Sequence, residues 1–384
     1  MTRVLSIIGT RPEAIKMAPV IRALSARAQA MESVVCSTGQ HREMLRQVLE
    51  LFEITPDIDL DLMTPGQTPT QVAARLLERL EPVLHEVRPD WVLVQGDTTT
   101  VMASAIAAHH AQIAIGHVEA GLRTGDRWNP FPEEMNRVLT DHLSDLCFAP
   151  TAGAREALLQ EGIADERILV TGNTVVDALQ SICATIGAGE AAGIMPLADG
   201  HPVLDGADLV LVTAHRRESF GEPLARICRA LRELALASQG RWHLVYPVHP
   251  NPQVRGPVYE ALDGIEGITL IEPLDYVSLV SLLQRSKLVL TDSGGIQEEA
   301  PTFGVPVLVL RETTERPEGV TAGVARLVGT DAEGIVDSAL RLLTDAAAHA
   351  TMARAANPYG DGHASERIVD AIRQREPRLT VAGT

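Results

Sequence analysis

Leu288-Val289-Leu290-Thr291-Asp292-Ser293-Gly294-Gly295-Ile296-Gln297-Glu298-Glu299-Ala300 holds one unit of the fold in miniature: an apolar run, a Ser-Gly-Gly turn and a helix start in direct succession. The run is too short for a helix and has no polar alternation, so it reads as a strand buried on both faces. Such strands occur in parallel sheets, whose successive strands must be joined by crossover helices.

The same rhythm extends in both directions. Toward the N-terminus the expected strands are Leu209–Val212 and His243–Val248, then Ile268–Ile271; beyond the quoted stretch come Val307–Leu310 and Ala325–Val328. An earlier series comprises Val4–Ile8, Ser33–Cys36, Trp91–Val94, Ala114–His117, Asp145–Phe148 and Ile168–Val170. Between them lie helical patterns at Ala18–Arg27, Thr70–Val87, Glu134–Leu143, Leu224–Leu236 and Tyr276–Arg285. The series are separated by the Gly/Ala/Pro/Asp-rich stretch Ile186–Asp208. The expectation is an α/β protein of two Rossmann-like, doubly wound parallel-sheet domains. The first covers residues 1–172 and the second 173–363, with a final helix in 364–384 packing back on the first. The 384-residue length suits two domains.

Composition narrows the function. A net charge of −17 and only 3% aromatic residues disfavour nucleic acid and anionic lipid as partners. Any anionic ligand must meet a local cluster of cations. Cys36, Cys147, Cys183 and Cys228 are scattered and form no CxxC pair, so buried thiols in a reducing cytoplasm are expected. No apolar stretch has bilayer length, and the N-terminus runs straight into a strand rather than a signal peptide.

In open parallel sheets, ligands bind beyond the carboxyl ends of strands. Gly9-Thr10-Arg11-Pro12-Glu13 follows the first strand, with Lys16 close behind. A glycine turn, a helix N-terminus and two cations suit a phosphate or diphosphate, although a plain strand–helix turn would read the same way. The dinucleotide fingerprint GxGxxG is missing there, which argues against a nicotinamide enzyme. Asp97 and Glu119 each stand beside glycines at a strand end, and Glu133 opens a helix with Arg137 one turn beyond on the same face. Three such acids suit proton transfer; helix capping by Glu133 and pairing with Arg137 is the plainer alternative. His215, between Thr213-Ala214 and Arg216-Arg217, suits a phosphate contact or proton transfer, and His249 lies in a rigid Pro-rich turn. In the opening stretch, Ser293, Gly294 and Gly295 offer a hydroxyl and free N–H groups to a diphosphate, and Glu299 can accept the two hydroxyls of a ribose. Arg311 and Arg316 follow the next strand and add charge.

Together these motifs, from Gly9-Thr10-Arg11-Pro12-Glu13 to Asn357-Pro358-Tyr359-Gly360-Asp361-Gly362, resemble the non-hydrolysing UDP-N-acetylglucosamine 2-epimerase family over nearly the whole chain. The resemblance implies two domains facing a central cleft, as in the B-type glycosyltransferase (GT-B) fold, usually in a homodimer, with no NAD and no obligatory metal. It implies UDP contacts from Arg11, His215, Ser293, Gly295, Glu299 and Arg316, and a sugar surrounded by Lys16, Asp97, Glu119, Glu133, Arg137 and His215. The implied reaction removes the C2 proton, expels UDP to leave 2-acetamidoglucal, and re-adds UDP with reprotonation on the other face. The product would be UDP-N-acetylmannosamine, a source of sugar for cell-surface polysaccharide. Many members bind a second UDP-N-acetylglucosamine as an activator; here Gln40, His41 and His249 are the corresponding candidates. Glu43 and Gly66 depart from that pattern, as Leu274 and Leu279 do near the uracil. An epimerase of a modified UDP-sugar and a retaining glycosyltransferase are the alternatives.

Overall fold

The computed structural model describes residues 1–39, 42–64, 66–190, 197 and 206–375. The chain divides into two compact units, Met1–Ala178 with the chain from Tyr359 onward, and Leu179–Pro358.

The first unit begins β1 (Thr2–Ile8), α1 (Arg11–Ser25), β2 (Met31–Ser37), α2 (Arg42–Leu51) and β3 (Ile58–Asp59). It continues through α3 (Pro69–Val87), β4 (Trp91–Gln95), α4 (Thr99–His110), β5 (Ala114–Val118) and α5 (Glu133–Leu143). It closes with β6 (Leu146–Ala149), α6 (Ala152–Gln160), β7 (Ile168–Val170) and the start of α7 (Thr174–Glu190). Its seven strands are ordered β3-β2-β1-β4-β5-β6-β7, and all pairs are parallel. Strand order therefore reverses between β1 and β4, which is the switch point where open α/β sheets bind ligands. The two-residue β3 is absent from the sequence reading because so short an edge strand leaves no periodic signal.

The second unit holds β8 (Asp208–Thr213), α8 (Glu222–Ser238), β9 (Trp242–Pro247), α9 (Pro252–Leu262) and β10 (Ile268–Ile271). Then follow α10 (Tyr276–Arg285), β11 (Ser286–Thr291), α11 (Gly294–Glu299), β12 (Val307–Val309), α12 (Pro317–Ala322) and β13 (Ala325–Leu327). Helices α13 (Ala332–Thr344) and α14 (Ala346–Ala353) complete it, and α15 (Ala364–Gln374) belongs to the first unit. The six strands run β10-β9-β8-β11-β12-β13, again all parallel, with the reversal between β8 and β11. Strands β8 and β11 are almost wholly buried, as their apolar centres Leu209–Val212 and Leu288–Leu290 require.

The break after Ala178 lies beyond the expected residue 172, and the return begins at Tyr359 rather than 364. Side chains explain the shift. Val175, Val176 and Tyr359 form a small apolar cluster. The Asn173 N–H donates to the Tyr359 carbonyl at 2.6 Å. The buried Asp177 carboxylate accepts the N–H groups of Ser365 at 2.8 Å and Ala364 at 3.3 Å, capping α15. Helix α15 then packs on α1, where Arg27 meets Asp370 at 3.1 Å.

Cys36, Cys147 and Cys228 are buried free thiols and Cys183 is half-buried; burial pushes Cys36 up to about 12 and Cys228 to about 11. Among the described residues no helix is long and apolar enough to cross a membrane.

Candidate active site

In the first unit, the residues around the β1/β4 switch point converge. Thr10 caps α1, and Glu13 returns the bond as its capping box. Glu13 is buried, and its carboxylate also accepts Gly9 N–H at 2.6 Å and the Thr98 hydroxyl at 2.8 Å. It thereby ties the loop after β1 to the loop after β4. Burial raises its pKa, against the opposing pull of those hydrogen bonds. Arg11 is the first residue of α1 and is half-buried.

Glu119 directly follows β5, is 7% exposed, and adopts a left-handed φ of 67° that side chains other than glycine seldom take. Three donors grip its carboxylate: Lys16 Nζ and Gln95 Nε2 in close contacts, and Asn173 Nδ2 at 2.9 Å. A carboxylate so held is aimed rather than mobile. Next door, Gly96 has φ of 85°, and a Cβ placed there would come within 3.9 Å of Glu119 Oε2. Asp97 follows, facing Arg137 Nη1 at 3.5 Å, while Asn136 Nδ2 donates to its carbonyl at 2.9 Å. Asp97 and Glu119 thus occupy the ends of adjacent strands.

Arg137 does not pair with Glu133. Its partner within α5 is Glu134, at 2.8 Å, whose carboxylate also accepts Thr124 and Gly125 N–H groups at 3.0 Å. On a helix, positions three apart and four apart are both neighbours, so sequence spacing alone left the choice open. Glu133 is half-buried at the first position of α5, and its side chain makes no hydrogen bond or ion pair among the described residues.

The second unit brings a histidine, arginines and a glycine helix start together at its own switch point, between β8 and β11. Asp292 is fully buried, and one oxygen accepts the backbone N–H groups of His215 and Arg216, each at 2.8 Å. The loop after β8 is therefore fastened to the end of β11. The His215 ring stacks on His249 at 5.0 Å and 13°, with Nδ1 4.0 Å from the other Asp292 oxygen. Burial lowers the His215 pKa; Asp292 opposes this, while His249 and Arg216 add to it. Ser293 caps α11 by position, leaving its hydroxyl out of the cap, and Gly294 and Gly295 begin the helix. A Cβ on Gly294 would lie 3.6 Å from Arg216 Nη2 and 3.9 Å from Arg316 Cζ, so two guanidinium groups flank this helix start. Arg316 Nε is fastened to buried Glu298. Glu299 is 8% exposed and accepts from the Tyr276 hydroxyl at 3.4 Å.

Arg311 is spent differently. Glu218 and Glu315 both bind it, the latter through two contacts at 2.7 and 3.2 Å, so its charge is met by two acids of its own unit. Leu274 and Leu279 pack half-buried against the core beside β11. Gln40 and His41 lie outside the described residues. Gln95, Asn173, Glu13 and Asp292 escaped the site prediction from sequence. Asn173 and Asp292 sit directly after or near a strand end, a signal that could have raised them.

The model for the family described as UDP-N-acetylglucosamine 2-epimerase matches residues 22–373. The UDP-N-acetylglucosamine 2-epimerase of Salmonella typhimurium is 53% identical over 372 residues, covering 97% of this chain and 98% of that protein. A crystal structure of UDP-GlcNAc 2-epimerase from Neisseria meningitidis bound to UDP-GlcNAc superposes with a TM-score of 0.90 at 45% identity, covering 97% and 100% of the two chains. The Methanocaldococcus jannaschii UDP-GlcNAc 2-epimerase in complex with UDP-GlcNAc and UDP gives 0.80 at 33% identity, covering 97% and 99%. The chain belongs to the UDP-N-acetylglucosamine 2-epimerase family of enzymes.

Proposed function

We propose that this epimerase inverts C2 of UDP-N-acetylglucosamine reversibly, giving UDP-N-acetylmannosamine by elimination of UDP to 2-acetamidoglucal and its re-addition. The observation that carries the reading is the Glu119 carboxylate, gripped by Lys16, Gln95 and Asn173 at the strand end beside Asp97. A C2 proton is weakly acidic, so its removal needs a positioned base, and return of a proton on the other face needs a second acid. Asp97, Glu119 and Glu133 are the groups assigned to these steps, with Lys16 beside Glu119 and Arg137 beside Asp97. The UDP is assigned to the second unit, where Arg216 and Arg316 flank the Gly294-Gly295 helix start, Ser293 offers its hydroxyl, and Glu299 accepts the ribose hydroxyls. Departure of UDP builds negative charge on the diphosphate, which preorganised cations and N–H groups stabilise. His215, held by Asp292 and with its pKa lowered, would donate a hydrogen bond there as a neutral ring. Arg11 would contribute a further cation. This chemistry calls for no nicotinamide and no metal, and its product would feed surface-polysaccharide synthesis.

The reaction run in deuterium oxide tests this. Both epimers should acquire deuterium at C2, with UDP retained at equilibrium; substrate that stays unlabelled after prolonged incubation overturns the reading. A retaining glycosyltransferase would use the Glu299 site equally well but would release UDP only with an acceptor, and it has no use for the gripped carboxylate of Glu119. An epimerase of a modified UDP-sugar is separated by running the same exchange across several UDP-sugars.

A further inference from the structure

The chemistry proposed above leaves one buried charged cluster beside the site without a role. His117 lies on β5, two positions before Glu119, and its ring is 0% exposed. Both ring nitrogens are engaged: Nδ1 lies 2.6 Å from Asp141 Oδ1, and Nε2 lies 2.7 Å from the Gly96 carbonyl oxygen. A carbonyl oxygen can only accept, so Nε2 must carry a proton. The other Asp141 oxygen accepts Arg123 Nη2 at 2.7 Å and Gly121 N–H at 3.2 Å. Burial alone would raise the Asp141 carboxyl, but His117 and Arg123 together hold it below the usual carboxylate range. An ionised carboxylate also only accepts, so Nδ1 must donate as well. A ring donating from both nitrogens is an imidazolium.

The surroundings make a buried cation tenable. Arg123 continues to Glu161 through two contacts of 2.7 Å. The chain His117, Asp141, Arg123, Glu161 alternates in sign and sums to zero, which offsets the cost of removing each charge from water. Other elements packed around the ring add little charge. On β6, Cys147 is the register partner of His117, and burial keeps its thiol neutral. Asp145, in the turn before β6, is occupied with the Ile115 N–H at 3.0 Å. The adjacent strand ends carry two ion pairs, Glu119 with Lys16 and Asp97 with Arg137, whose charges offset within each pair.

We propose that His117 is a positioning residue of the epimerase site: as an imidazolium it clamps the Gly96 carbonyl and so holds Asp97 in register beside Glu119. This rests on the reading of Asp97 and Glu119 as proton-transfer groups. The Gly96 N–H already donates to the Val118 carbonyl at 3.1 Å, so the clamp on its carbonyl holds the residue from both ends. The peptide that His117 holds is the one leading into Asp97. A ring that loses one proton can donate to Asp141 or to Gly96 but not to both, and the end of β4 is then released. Misplacing a reacting group by about 1 Å can cost roughly 10²-fold in rate.

The experiment has two arms. Nitrogen-15 NMR of histidine-labelled protein reads the ring directly at neutral pH, and both His117 nitrogens should be protonated. Two variants then split the two contacts. His117→Asn keeps a donor toward Asp141 and loses the Gly96 clamp; kcat for C2 deuterium exchange should fall about 10²-fold with KM nearly unchanged. His117→Gln carries an amide N–H out to the Nε2 position; it should recover most of that loss. An unprotonated ring nitrogen, or equal rates for the two variants, would overturn the proposal. If a variant does not fold, the spectrum of the unaltered enzyme still decides. An unaltered enzyme that exchanges no C2 proton defeats the epimerase reading and this role together, whereas exchange beside a neutral His117 ring defeats this role alone.

Discussion

Glu119 shows what the site demands of a single residue. Its left-handed backbone is strained for a side chain of its size, yet it turns the carboxylate onto Lys16, Gln95 and Asn173. Glu119→Gln keeps the shape and removes the charge, so turnover should fall by about 10²–10⁴-fold while UDP affinity, measured by calorimetry, barely moves. A matching loss of affinity would mean that Glu119 binds substrate rather than moves protons. Glu315 is the contrasting case, an acid with a structural task. Burial would raise its carboxyl, but the bidentate Arg311 guanidinium outweighs this and holds it at about 2 against an ordinary 4.5. A depressed folded-state pKa contributes stability that is present above 4.5 and lost as pH falls toward 2. Acid titrations of unfolding should therefore show the unaltered protein losing its advantage over Glu315→Gln across that interval. An advantage that does not depend on pH would remove the ion pair from the account.

At the scale of elements, the fold spends its polar groups on fastening strand-end loops. Glu13 joins the loops after β1 and β4, Asp292 joins those after β8 and β11, and Asp177 joins α7 to α15. Each is a buried carboxylate that accepts backbone N–H groups or a hydroxyl, the use such groups have when they hold irregular chain in place. Replacing Asp177 with Ala leaves the Ser365 and Ala364 N–H groups without their acceptor, at a cost of about 1–3 kcal/mol. Amide exchange in α15 should accelerate well before the rest of the first unit does. If α15 stays as protected as in the unaltered protein, its packing on α1 and not the cap is what retains it. Helix α6 imposes a different constraint. A Cβ on Gly121, whose φ is 84°, would lie 2.3 Å from the Ala154 carbonyl oxygen, so only glycine lets the chain pass from Glu119 beneath that helix.

For the whole molecule, the proposed function assigns the proton-transfer groups to the first unit and the UDP groups to the second. The second unit has a large continuous core from β8 and β9 through α8 and α13, and the assigned UDP groups lie at one end of its sheet. A ligand that binds only the folded protein stabilises it by mass action, by about 2.7 kcal/mol at a hundredfold excess over Kd. UDP should therefore raise the melting temperature and slow amide exchange most strongly in the loops after β8, β11 and β12. Protection confined to the first unit would contradict the assignment of the nucleotide to the second.

Legible in the sequence were the alternation of strands and helices, the presence of two doubly wound units and the strand ends at which the candidate groups stand. Doubly buried parallel strands are written as unbroken apolar runs, and helix starts are written in their caps and glycines, so both are local signals. Only the three-dimensional packing set which polar groups meet: Arg137 with Glu134 and Asp97 rather than Glu133, Asn173 and Lys16 on Glu119, Arg311 held between two acids, and His117 locked between Asp141 and the Gly96 carbonyl. Most of those partners lie far apart along the chain. Their distances depend on β1 being inserted beside β4, and on how far each helix turns over its sheet, neither of which any local pattern encodes.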